Sequence, residues 1–148
     1  KMSQQTEILN NQNQLTVNND TTKIFVGGNK DATASYTNST YDDVTLTEGT
    51  LLGKVSATGK VKPLASAAVD GSQYPIGILR QTTTIGAGET VTLTFVTAGD
   101  VVKTKVILSG SDTMSTVISG RSIQDRIGGD TVGVNLVGST QNTAYDNQ

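Results

Sequence analysis

The sequence predicts a mainly β fold with one short helix, a β-rich α+β domain. Three observations carry this expectation. Apolar residues from position 44 onward recur with period two, 16 glycines punctuate those runs, and aromatics at 4% leave the core to small aliphatic side chains. A length of 148 residues suits one compact domain with extensions better than two domains. The predicted division is a polar N-terminal arm over 1–40, a β-rich domain over 41–138 and a polar C-terminal tail over 139–148.

The arm is assigned because about half of residues 1–40 are Asn, Gln, Ser or Thr. Its apolar residues are too sparse to offset an ordering cost of about 1–2 kcal/mol per backbone residue. Its one concentrated apolar run, Ile24, Phe25 and Val26, ends at Gly27 and Gly28. Such a run either plugs into a partner surface or packs back on its own domain as a first strand. From "VTLTEGTLLGKV" the alternation begins, with Val44 and Leu46 on one face and Leu52 against Leu51 thereafter. "KVSATGKVKPL" reads as a hairpin turning on Ala57, Thr58 and Gly59. Pro63 belongs at an edge or a strand end because it has no N–H to donate.

In "DGSQYPIGILRQ" Asp70 and Gly71 set a reversal and Pro75 blunts pairing at the strand start. Gly77 lets another backbone come close, and Tyr74, Ile76 and Ile78 share a face. Two further strands are expected around Val91, Leu93 and Phe95 and around 101–108, separated by "TAGD", with "IGAGE" as the preceding turn. A short, interrupted helix is predicted over 113–127, with Asp112 as N-cap and Gly128 and Gly129 at its end. A last strand, "TVGVNLV", follows at 131–137.

The composition excludes much chemistry. Cys and His are both absent, which removes thiolate nucleophiles, His-based triads and nearly all zinc sites, so neither a metal nor a cofactor is expected. The 11 Lys and Arg are scattered and the net charge is -2, giving no footprint for nucleic acid or an anionic membrane. No apolar run has the length of a membrane span, and the start of the chain lacks a signal-peptide core. "GAGETV" resembles a dinucleotide fingerprint only superficially, since Val91 stands where the third glycine belongs and a strand follows. Asn19 and Asn38 each open a glycosylation sequon, which an Asn- and Thr-rich arm produces by accident. Most of the carboxylates sit at turns or caps, where Asp and Glu are ordinary. Lys54, Lys60 and Lys62 cluster on the first hairpin, where they protect a sheet edge or meet an acidic partner surface.

One stretch is more specific: "GTLLGKVSATGKVKPLASAAVDGSQYPIGILRQTTT", followed by "ETVTLTFVTAGDV". An apolar pair before a T-G-K hairpin, "KPLASAAVDGSQ" leading into "PIGIL", a Thr-rich strand and a G-D-V segment together resemble the tailed-phage head decoration family of the phage lambda type. The resemblance covers about residues 46–137. It implies a small mixed β-barrel, tadpole-like, with an extended N-terminal arm. It also implies a homotrimer on the outside of the expanded capsid, bound to the major capsid protein and stabilising the head against packaged DNA. The protein would be made in the host cytoplasm and act in the virion without enzymatic activity. The arm with Ile24, Phe25 and Val26 would then pair with an exposed capsid strand. Lys54, Lys60 and Lys62 would be polar capsid contacts, and Gly59, Pro63, Asp70, Gly71, Pro75 and Gly77 would specify the fold. The arm is longer and richer in Asn and Gln than the lambda type, and the tail is additional. The rival reading is a carbohydrate-binding head-fibre or adhesin-like module, for which Tyr36, Tyr41, Tyr74, Tyr145, Phe25 and Phe95 are the available stacking rings.

Overall fold

A computed structural model describes residues 23–129 and 132–137. It is mostly β, as expected. The principal sheet contains β1 (Phe25–Thr37), β3 (Leu51–Lys54), β4 (Val61–Pro63), β5 (Pro75–Leu79), β7 (Thr90–Val102) and β10 (Gly133–Val137). Its order is β1-β7-β5-β3-β4, with β10 parallel to the second half of β7 and every other pairing antiparallel. Two small ribbons complete the strands: β2 (Val44–Leu46) with β6 (Thr83–Ile85), and β8 (Val117–Ile118) with β9 (Arg121–Ser122).

The sheet separates two apolar cores, because successive side chains on a strand point to opposite faces. Leu51, Ile78 and Val96 enter one core, under helix α1 (Ile123–Gly129) and alongside Ile118, Ile123, Ile127 and Val134. Leu52, Leu79, Leu93 and Phe95 enter the other, covered by Leu46 and Ile85 of the β2–β6 ribbon and by Ala32, Ala34 and Tyr36 of β1. Strands buried on both faces need apolar neighbours rather than alternation, which is why "LLG" and "GIL" carry consecutive apolar residues. The Val91, Leu93 and Phe95 side chains do share one core, as their alternation with Thr requires.

Several expectations change. Residues 25–37 form β1 and pair with β7 from Phe25↔Val101 to Thr37↔Thr90, so this part of the expected arm lies in the sheet. The "TAGD" segment does not divide two strands: β7 runs through it to Val102, and the chain beyond makes a 3-10 turn at Lys103–Lys105. Gly99 (φ +100) crosses Gly28 (φ +64) so closely that a Cβ at 99 would lie 2.6 Å from the Gly28 carbonyl carbon and oxygen. β1 shifts register on both sides of Gly27, beside this glycine pair.

Ile76 and Ile78 do not share a face. Leu52 pairs with Gly77 and Gly53 with Pro75, so Ile76 is the extra residue of a bulge, packed against the second core while Ile78 enters the first. The helix is shorter than predicted, and Ser122 caps it by accepting the Asp125 N–H at 3.2 Å. Residues 117–122 instead form a hairpin turning on Ser119 (φ 49) and Gly120 (φ 84), the left-handed pair that a type I′ turn requires. Asp112 is no helix cap: its carboxylate accepts the Ser66 N–H at 2.9 Å and the Ser66 hydroxyl at 2.5 Å. Lys60 Nζ reaches Thr37 Oγ1 at 2.8 Å, so the outer strands approach each other, but no ladder joins β1 to β4 among the described residues.

Candidate functional site

The Ile-Phe-Val run sits where the described chain begins. Ile24 is buried in the first core, and its carbonyl accepts the Val102 N–H at 2.9 Å. Phe25 is half-buried beneath the Arg80 guanidinium, 5.0 Å from the ring centroid, and Arg80 Nε stands 3.7 Å from Asp31 Oδ2. Val26 is half-buried as well. The run thus roots the N-terminal segment in its own domain. Because β10 runs parallel to β7 with Val137 beside Val102, residues 24 and 137 flank the same end of β7. At a rise of about 3.3 Å per residue, β1 places its far end about 40 Å away.

At that far end Asn38 is fully buried. Its Nδ2 donates to the carbonyls of Asp42 (2.8 Å), Ile85 (3.0 Å) and Gly86 (3.1 Å), while its Oδ1 accepts the Thr40 N–H and hydroxyl. The sequon at 38 is therefore consumed by the fold, whereas that at Asn19 lies outside the described residues. The pinned loop presents Tyr41, which is 99% exposed. The other rings are occupied: Tyr36 and Phe95 pack in the second core, and Tyr74 lies under Arg126, 4.9 Å from its centroid. Tyr145 and the tail over 139–148 lie outside the described residues. Arg126 is buried and donates to the Ile118 and Ser119 carbonyls, holding the 117–122 hairpin against Tyr74. These contacts join α1 to the hairpin, a pairing that no local spacing in the sequence marks.

The lysine hairpin is partly committed. Lys62 Nζ pairs with Asp70 Oδ2 at 2.9 Å, Lys60 holds Thr37, and Lys54 is exposed. The Ser72 hydroxyl and then the Lys62 ammonium, with the Ser72 N–H, hold the Asp70 carboxyl well below the usual carboxylate range. Gly59 and Gly71 take φ +72 and +102, and Pro63 ends β4, the outermost strand of the sheet beside β3. Pro75 opens β5, and Gly77 faces the Phe95 ring and the Val96 carbonyl of β7. The approach at Gly77 is thus to the chain's own neighbouring strand.

Among the described residues no three acidic side chains converge on a point that could hold a metal ion. Two concavities formed by described residues are open to solvent: about 240 Å³ between α1 and β10, and about 230 Å³ between the 65–67 and 109–112 loops.

No curated protein matches the chain. A family does: the model of the bacteriophage lambda head decoration protein D matches residues 17–117, from just before β1 to the start of β8. That family is structural and associates with the phage capsid. Since the match spans well over half of the sequence, including all five strands of the β1-β7-β5-β3-β4 path, the chain belongs to the phage lambda head decoration protein D family.

Proposed function

We propose that this protein binds the outer surface of the expanded phage head as a homotrimer and ties neighbouring subunits of the major capsid protein together against the pressure of packaged DNA. The family match over residues 17–117 is the observation that supports it most directly. A three-fold trimer presents one contact three times, and three tethered segments gain from high effective concentration even if each is weak alone. The docking element in this reading is the segment preceding Lys23, with Phe25 and Val26 at its root, and Ile24 serves as its anchor in the core. Strand addition to an exposed capsid edge would supply main-chain hydrogen bonds without a charged patch. Lys54, the exposed lysine of the first hairpin, is the best placed of the three for a polar contact.

The test is cosedimentation of the full chain with heads lacking it, comparing compact precursor heads with expanded ones. Saturable binding to expanded heads alone is expected, with a salt dependence far shallower than a multi-phosphate contact, whose slope is about -0.9 per phosphate. No binding to either form by a well-folded protein overturns the proposal. Tyr41 is the one observation favouring a glycan-binding module, and a glycan array in which Tyr41→Ala abolishes a specific signal would carry that reading instead.

A further inference from the structure

Asp70 and Gly71 form the one Asp-Gly pair of the sequence, which has no Asn-Gly pair. With no Cβ on the following residue, the backbone nitrogen of such a pair can approach the acid's own side-chain carboxyl closely enough to bond to it. The pair is also within reach of water, since Val69 beside it is 94% exposed and the Asp70 side chain 39% exposed. Yet each group that this reaction would use is engaged. The Gly71 N–H donates to Gln73 Oε1 at 2.9 Å. Asp70 Oδ1 accepts the Ser72 N–H at 3.0 Å and the Ser72 hydroxyl at 2.6 Å, and Lys62 Nζ stands 2.9 Å from Oδ2. The main chain is held as well. The Asp70 carbonyl accepts the Ser56 N–H at 2.8 Å, the Gly71 carbonyl accepts the Tyr74 N–H at 3.2 Å, and a Cβ on Gly71 would collide with Ser56 Oγ and the Lys54 carbonyl oxygen.

We propose that Asp70–Gly71 is a latent isoaspartate site, kept closed by the Lys62, Ser72 and Gln73 contacts and converted only when this turn opens. The Gly71 nitrogen attacks Cγ of the protonated Asp70 carboxyl. The N–Cγ bond forms, the bond from Cγ to the hydroxyl oxygen breaks, and that hydroxyl leaves with the amide hydrogen as water. The product is a cyclic imide one water lighter than the chain. Water then adds to the carbonyl that was Asp70's backbone carbonyl, the ring opens there, and Gly71 stays linked through the Asp70 side chain with a carboxylate left on the Asp70 Cα. The mass is restored, and no reactant besides water is needed. The contacts in the closed turn oppose each part of this sequence. An N–H donated to Gln73 holds the nitrogen's hydrogen away from the carboxyl, while two donors on Oδ1 and an ammonium at Oδ2 favour the ionised carboxylate, which has no hydroxyl to lose. Reversal by refolding is blocked too. The new linkage adds a carbon to the main chain just before Ser72, which is fully buried with its carbonyl against Gly53 of β3, where even a Cβ has no room. A chain that opens here and reacts therefore stays altered at the start of β5.

The test is prolonged incubation of the full chain at neutral pH, folded and in urea, followed by peptide mapping at residue 70. Isoaspartate there resists cleavage by endoproteinase Asp-N and accepts a labelled methyl group from S-adenosylmethionine through an isoaspartyl methyltransferase. The folded chain is expected to convert at least about tenfold more slowly than the unfolded one, because reaction waits on local opening. Gln73→Ala, which frees the Gly71 N–H, should raise the folded-state rate at least about threefold. Lys62→Met, which keeps the stem and removes the ammonium, should raise it by a smaller factor, since both partners of that pair are half in water. Each variant is incubated well below its own thermal midpoint, read by circular dichroism, so that global unfolding does not supply the product. Equal rates in the folded and unfolded native chain overturn the inference. Slow conversion that neither substitution accelerates also overturns it, since protection would then belong to the fold at large and not to this turn. Both readouts are taken on the free protein, so neither depends on capsid binding.

Discussion

Replacing Asn38 with Ala tests whether the far end of the β1–β7 ribbon is organised by one buried amide. Asn38 joins three segments: it follows β1, faces the Ile85 and Gly86 carbonyls where β6 ends, and holds the Asp42 carbonyl ahead of β2. Two amide hydrogens serve three acceptors, and Oδ1 receives two bonds from Thr40. Each net hydrogen bond contributes about 0.5–1.5 kcal/mol, and stranding a buried acceptor costs about 1–3 kcal/mol. The Ile85 carbonyl contact is fully buried, whereas the others are within reach of water after truncation. One buried acceptor and one or two exposed bonds give a loss of about 2–4 kcal/mol. For a chain of this length that lowers Tm by roughly 5–15 °C. Urea unfolding followed by circular dichroism at fixed protein concentration reads it as a lower midpoint with an unchanged slope. Asn38→Asp should be at least as harmful, because it sets a carboxylate against three carbonyl oxygens. A loss below about 0.5 kcal/mol for Asn38→Ala would show that the loop holds without its amide.

Gly77→Ala drives a methyl group into the Phe95 ring and to 2.9 Å from the Val96 carbonyl, so a cost of about 1–3 kcal/mol or more is expected. Gly27→Ala, with nothing within 4 Å, is the matched control and should change the unfolding midpoint little. For Asp70 the sign follows from its direction of shift. Its folded pKa is depressed, so its contribution is fully present above the unfolded value of about 3.9 and is lost as pH falls below it. The Tm difference between the native chain and Asp70→Asn should therefore be constant near neutrality and shrink in acid; a difference that grows on acidification refutes the assignment.

Local punctuation was legible in the sequence, and long-range pairing was not. The turns at Gly59 and at Asp70–Gly71 could be read because left-handed and side-chain-capped conformations select few residue types. The pairing of Ile24 and Phe25 with Val102 and Val101 could not, since the apolar run suits a first strand and a partner-binding segment equally and its partner strand lies about 75 residues away. The helix was overestimated for a related reason. Met114, Val117 and Ile118 are spaced for a helical face, yet Ser119–Gly120 favours a tight hairpin, and the Arg126 contacts to the Ile118 and Ser119 carbonyls hold that choice. In the sequence Asn38 shows only a sequon, because burial of an amide leaves no mark in composition.

The path by which a tether would load this fold follows from strand direction. Hydrogen bonds of an antiparallel ladder lie across the strands. A pull on the segment before Lys23, directed away from the domain, acts along β1, so that β1 slides against β7 and the pairs from Phe25↔Val101 to Thr37↔Thr90 resist together. Were the same segment pulled against Lys103, both handles would sit at one end of the ribbon and the pairs would open one after another. Single-molecule pulling with one handle on the N-terminus and the other at Glu89 or at Lys103 separates the two geometries. The Glu89 pair should rupture at the higher force. Equal forces would mean that the β1–β7 ladder does not carry the load, and that a capsid tie rooted at Ile24 draws its strength from the core packing of that residue alone.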